Sequence, residues 1–141
     1  MVELVVTTAV TGVIVAFLGI VIYQILNVTG YGNDRLIAGH ELENAAYWLN
    51  RDGQQASAAS GGSGLALTLS DNSSVTYSLS GTELRRNAGG AYIILARNIT
   101  GLNFAVSNRV ITMSLTSAPQ GRYSVSENGT YQVNLRPTGG G

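Results

Sequence analysis

Residues 4 to 33 carry no Asp, Glu, Lys, Arg or His, and a single carboxylate, Glu3, stands at the head of that apolar run. Val5 to Leu26 is built almost wholly from Val, Ile, Leu, Ala, Thr and Gly. As a helix of about 22 residues it rises about 33 Å, enough to cross a hydrocarbon core of roughly 30 Å. The pattern predicts a membrane-spanning helix over residues 1–28. A carboxylate at the end of such a helix is unwelcome in hydrocarbon unless a cation neutralises it, so Glu3 points to a counter-charge supplied by an assembly.

Past the glycine-containing stretch Thr29–Asn33 the periodicity stays helical but the surface becomes polar. Asp34 is a candidate N-cap, and the spacing predicts a second helix over 34–55. Ala38, Leu42, Ala45, Ala46 and Leu49 fall on one face, with Trp48 and Ile37 at its edges to supply buried area. Gly30 and Gly32 read as a soft joint between the two helices. Gly53 and the small-residue run Ala56–Gly64 end the second helix and form a flexible connection.

From Leu65 the period is two. Leu65, Leu67 and Leu69 alternate with Ala and Thr; Val75, Tyr77 and Leu79 alternate with Thr and Ser; Val110–Leu115 and Tyr131–Leu135 repeat the pattern. Turn chemistry separates them at Asp71-Asn72, Ser80-Gly81, Gly89-Gly90, Ser107-Asn108 and Asn128-Gly129. The expectation is an α+β fold. A headpiece over 29–141 carries its helix across the apolar face of one mostly antiparallel sheet of five to seven strands, spanning 65–135, with the Thr/Ser face outward.

The segment Met1-Val-Glu-Leu-Val-Val-Thr-Thr-Ala-Val-Thr-Gly12 resembles the start of a mature bacterial type IV pilin or type II secretion pseudopilin, where a Glu opens a long apolar helix and a Gly follows nine residues later. Glu3 and Gly12 keep that spacing. In the family the acid falls fifth, whereas here it is third, so the family's methylated first residue is not assigned to Met1. The mid-helix Pro common in the family is replaced by Ile20, leaving Gly12, Gly19 or Thr29–Asn33 to provide any break. The order of apolar helix, polar continuation, Gly/Ser loop and sheet is similar to the pilin plan throughout. Ser80–Gly90 with Ile94–Phe104 looks like the minor pilins and pseudopilins.

The resemblance implies a structural subunit of a type IV pilus-like filament, held in the inner membrane as a precursor and polymerised through its first helix into an extracellular helical homo-oligomer at the cell surface. Glu3 would pair with the N-terminal amine of the adjacent copy and set register, with Gly12 and Gly19 allowing close helix packing. A prepilin peptidase and an assembly ATPase with its platform are implied as partners. The alternatives are a minor pilin or pseudopilin of a secretion or DNA-uptake machine, or a membrane-anchored surface protein that does not polymerise.

Composition narrows the chemistry. Cysteine is absent, all eight basic residues are Arg, and eight acids balance them. There is neither a disulfide framework nor a cationic footprint for nucleic acid. His40, the only histidine, has no Cys or second His to share a metal, and reads as a solvated or packing residue. Gly61-Gly-Ser-Gly64 and Gly89-Gly90 lack the Lys and following helix of a phosphate loop. No catalytic set emerges, so the chain reads as a non-enzyme without cofactor or metal. Arg85-Arg86 reads as a solvated strand end, or as a contact with Glu41, Glu43 or Asp52 of a neighbouring copy. Sequons occur at Asn27, Asn72, Asn98 and Asn128; Asn72 and Asn128, in expected turns, are the candidate glycosylation sites. The tail Arg136–Gly141 is expected to fray or lie along the surface.

Overall fold

The structure, a computed structural model, describes residues 1–137. A single helix, α1 (Val2–Gln55), leads into eight strands: β1 (Ala56–Ser60), β2 (Leu65–Leu69), β3 (Ser74–Ser80), β4 (Glu83–Ala88), β5 (Ala91–Ala96), β6 (Ile99–Ser107), β7 (Val110–Ser117) and β8 (Glu127–Asn134). Strands β1 to β5 form one antiparallel sheet in sequence order, and β6 to β8 form another. This is the α+β layout that the change of period implies. The expected single sheet of five to seven strands is instead eight strands in two sheets.

Two segments differ from their sequence reading for identifiable reasons. Ala56–Ser60, expected as a flexible connection, is β1; its Ala/Ser content carries no apolar alternation, but the end of α1 delivers it beside β2, where Ala56 faces Leu69 and Ser60 faces Ala66. Asn128-Gly129, expected as a turn, lies inside β8 opposite Thr116 and Leu115. Pairing with β7 overrides the local turn preference. The other turns stand where their residues indicate: Gly89 and Gly90 both take positive φ, as do Asn108 and Arg109, which is the backbone a two-residue hairpin requires.

The helix is continuous through Gly30 and Gly32, with no joint in this structure, and Asp34 sits in the helix interior instead of capping a new one. Its C-terminal part packs on the sheets through Ala38, Leu42, Ala45 and Leu49, all buried, with Ala46 and Trp48 half-buried. Ile37, expected at the edge of this face, remains 39% exposed. The same core takes Leu65, Leu67, Val75, Tyr77 and Leu84 from the first sheet and Phe104, Ile111, Met113 and Val133 from the second. Alternation does the sorting. Along β3 the inward Val75 and Tyr77 are buried while Ser74, Thr76 and Ser78 are exposed.

Both sheets turn an edge toward α1. The Asn44 amide donates to the Leu95 carbonyl, and the Glu41 carboxylate accepts from the Arg97 backbone N–H at 2.6 Å, so polar helix side chains engage backbone groups at the β5 end that β4 does not use. On the other side β8 comes so close that a Cβ on Gly53 would lie 2.6 Å from Val133 Cγ1. Gly53 is a packing glycine in the last turn. The two sheets meet through Phe104, whose N–H donates to the Gly62 carbonyl at 3.0 Å and whose ring meets Tyr77 edge-on at 6.1 Å. Ser117, within β7, keeps a buried hydroxyl with no hydrogen-bond partner among the described residues.

One polar group fastens helix to sheet. Asp52, only 2% exposed, accepts a bidentate pair from Arg86, Nε to Oδ2 at 2.5 Å and Nη2 to Oδ1 at 2.9 Å, and a third bond from the Tyr77 hydroxyl at 2.5 Å. Trp48 lies against the Arg86 guanidinium at 5.0 Å. Arg86 is therefore neither solvated nor available to a neighbour: its acid is Asp52 of its own chain. Arg85, on the opposite face of β4, pairs with Glu83 at 2.8 Å and stacks on Tyr92 at 4.8 Å.

Two outcomes are expected. Leu42→Ala should destabilise the headpiece by about 2 to 5 kcal/mol, as removal of well-packed core methylenes does, read from the denaturant midpoint. Burial first, and Asp52 second, push the Tyr77 phenol well above its ordinary value. Up to about pH 10 both folded and unfolded states hold that proton; above it the unfolded chain releases it while the folded chain retains it, so stability should fall by about 1.4 kcal/mol per pH unit. Tyr77→Phe should remove most of that alkaline slope, leaving the smaller contribution of Tyr131, which is raised in the same direction by burial and then by Glu43. An unchanged slope in Tyr77→Phe would place the titration elsewhere.

Candidate functional site: the apolar helix and its collar

From residue 1 to residue 29 every position except Val21 and Asn27 is exposed. This is one helix long and apolar enough to cross a membrane, and none of its most apolar stretch is buried against the headpiece. Its threonines do not spoil that surface. Thr7, Thr11 and Thr29 donate to the carbonyls of Glu3, Thr7 and Ile25 at 2.7, 2.8 and 2.8 Å, and Thr8 reaches Leu4 at 3.0 Å. A hydroxyl satisfied by the preceding turn presents its methyl outward and needs no water. Glu3 is the only Asp, Glu, Lys, Arg or His before Asp34. It sits in the first turn, where the free N–H groups of the helix favour a negative charge but do not neutralise it.

Gly12 and Gly19 have no atom within 4 Å of a built Cβ, so both lie open on the exposed helix seven residues apart. Seven residues is two turns, which puts them on one side of the rod. Any close packing they permit is with another molecule.

Where the helix leaves the core it enters a collar formed by the irregular segment 118–126 between β7 and β8. Tyr123 lays its ring on Gly30, where a Cβ would stand 2.6 Å from Cε2, and donates its hydroxyl to Asn27 Oδ1 at 2.7 Å. Tyr31 meets the same ring edge-on at 6.5 Å. Gly121 lies so close to Asp34 that a Cβ there would run into the carboxylate. Arg35 closes the collar on Glu127, Nε to Oε1 at 2.7 Å. These contacts explain the unbroken helix: the turns with the weakest intrinsic propensity are the ones that loop side chains hold in place.

The structure thus separates two glycines that the sequence treats alike. Gly30 is a contact surface for Tyr123, whereas Gly32 has nothing within 4 Å. Tyr123 and its neighbours carried no sequence signal, because a non-periodic segment with Pro119 and Gly121 reads only as a loop.

The remaining candidate residues lie apart from this region. His40 is exposed on α1, 3.9 Å from Glu43. Of the sequons, Asn72 occupies an exposed turn with φ of 64°, and Asn128 engages Thr116 Oγ1 at 2.6 Å within the sheet. Asn27 is held by Tyr123, and Asn98 is half-buried beside the fully buried Ile99. The expectation for the tail falls mostly on 138–141, outside the described residues.

Gly32→Ala should strengthen the helix by up to about 1 kcal/mol, and Gly30→Ala should instead displace the Tyr123 ring. Amide exchange over 27–35 reads both: slower exchange in Gly32→Ala and faster exchange in Gly30→Ala are expected, and equal effects would mean that Tyr123 does not hold this turn. In comparisons with known proteins, no family model, no curated protein and no solved structure matches this chain.

Proposed function

We propose that the chain is a structural subunit of a type IV pilus-like filament, stored in a membrane by the apolar half of α1 and polymerised through that same half. The observation that carries the reading is the division of α1: its second half helps complete a headpiece core, while residues 1–26 stay almost wholly exposed among the described residues and are headed by one carboxylate. Such a helix exchanges lipid for neighbouring helices without a change in the headpiece. Association then rests on close packing along Gly12 and Gly19 and on neutralising Glu3. A contact between two different surfaces of identical copies repeats without closing and gives a fibre. The N-terminal sequence around Glu3 and Gly12 supports the same reading through its resemblance to pilins.

Electron microscopy and composition of material sheared from cells test it. Long fibres made chiefly of this chain are expected; a trace presence among other subunits would instead indicate a minor pilin or pseudopilin, and absence from any fibre a tethered surface protein. Glu3→Ala should leave the protein in the membrane fraction and abolish fibres, since removing one member of a buried charge pair costs about 3 to 5 kcal/mol. A normal fibre yield from that variant would remove Glu3 from the contact.

A further inference from the structure

The exposed side of α1 keeps apolar positions among its polar ones where the headpiece begins. Leu36 is 65% exposed and Tyr47 61%, and Gly32 and Gly39 lie open between and beside them. Residues 32, 36, 39, 43 and 47 follow helical spacing, so they form one stripe, apolar except for Glu43, that runs on from the exposed surface of residues 1–29. Gly32, Leu36, Gly39 and Glu43 also border a groove of about 500 Å³ whose rim is Arg35 with Glu127. Among the described residues nothing covers Leu36 or Tyr47.

Charge identifies what does. Glu3 is the only acid in the apolar segment, and Arg35 is the only arginine in the chain before Arg51. The Arg35 side chain is 63% exposed and uses its Nε on Glu127, and among the described residues its terminal nitrogens meet no other carboxylate. A guanidinium placed this way can accept a second carboxylate without releasing the first.

Resting on the filament reading, we propose that the groove at Gly32, Leu36 and Gly39 receives the head of α1 from a second copy, with the incoming Glu3 paired to Arg35. The terminal amine of an adjacent copy, implied by the resemblance, can occupy the other carboxylate oxygen. With parallel helices this contact offsets the two copies by about 32 residues, roughly 48 Å along the axis. The incoming apolar turns then lie over Leu36 and Tyr47 and cover the exposed apolar surface of the headpiece helix. The other possible occupant, a lipid surface, supplies no carboxylate at a fixed height and no defined offset.

The absence of cysteine allows a direct test in the full-length protein. Within one chain Val2 and Leu36 stand about 34 residues apart on a continuous helix, roughly 51 Å, so a disulfide between Val2→Cys and Leu36→Cys forms only between copies. A ladder of covalent oligomers from oxidised fibres is expected, together with a subunit rise that divides about 48 Å. Arg35→Gln should abolish fibres while leaving amide exchange over 27–35 unchanged, since a surface ion pair contributes little to the fold, and Arg97→Gln, on an exposed arginine outside the groove, should assemble to within about two-fold of the parent. Fibre loss in Arg35→Gln accompanied by faster exchange over 27–35 would mean that Arg35 acts only through the collar, and fibres without the 2–36 ladder would overturn the contact while leaving the filament reading intact. Failure of the unaltered chain to form fibres would overturn the filament reading, and this inference with it.

Discussion

The architecture turns on the Asp52 carboxylate. A buried acid that meets a bidentate arginine and a tyrosine hydroxyl has little freedom in where it lies, so it fixes both the rotation and the height of the helix end against β3 and β4. The apolar contacts of Leu42, Ala45 and Leu49 supply the burial, but apolar surfaces slide. Burying a charge without its partner is expensive, and this holds the register of helix on sheet. From that anchor the chain turns directly into β1, and the order of the first sheet follows by successive hairpins.

A rod anchored at one end transmits orientation only as far as it stays stiff. Buried side chains of α1 stop at Ala38, moving toward the N-terminus, and the next turns contain two glycines. Tyr123, Gly121 and the Arg35–Glu127 pair extend the grip to Asn27. The headpiece therefore presents its apolar half as a lever of defined direction, which matters for any assembly whose repeating contact involves both parts of the molecule. The collar is polar and thin compared with the core, so its grip is weaker than that of the Asp52 lock.

Beyond the collar the physics belongs to the surroundings. The threonine hydroxyls are satisfied internally, the glycines are open, and one carboxylate stands at the head. Lipid satisfies all of this surface except the charge. Neighbouring helices can satisfy it entirely, and that difference gives the proposed assembly its direction.

How much of this could be read from residues alone depends on the range of the interaction. The apolar span, the helical face of Ala38, Leu42, Ala45 and Leu49, the alternation of β2, β3 and β7, and the Gly89-Gly90 and Asn108 turns are local patterns, and the structure reproduces them. Glu3 and Gly12 are recognisable by position along the chain and by nothing that the fold adds. Other features needed tertiary structure. Ala56–Ser60 became a strand because a partner edge was present, and Asn128-Gly129 lost its turn to β7 for the same reason. Gly30 and Gly32 imply a flexible point by propensity, yet a tyrosine more than ninety residues away covers one of them and holds the helix straight. Arg86 looked like a surface charge until the fold brought Asp52 to it. Short-range periodicity is written in the chain itself, whereas a pairing between distant residues exists only once the backbone has closed around it.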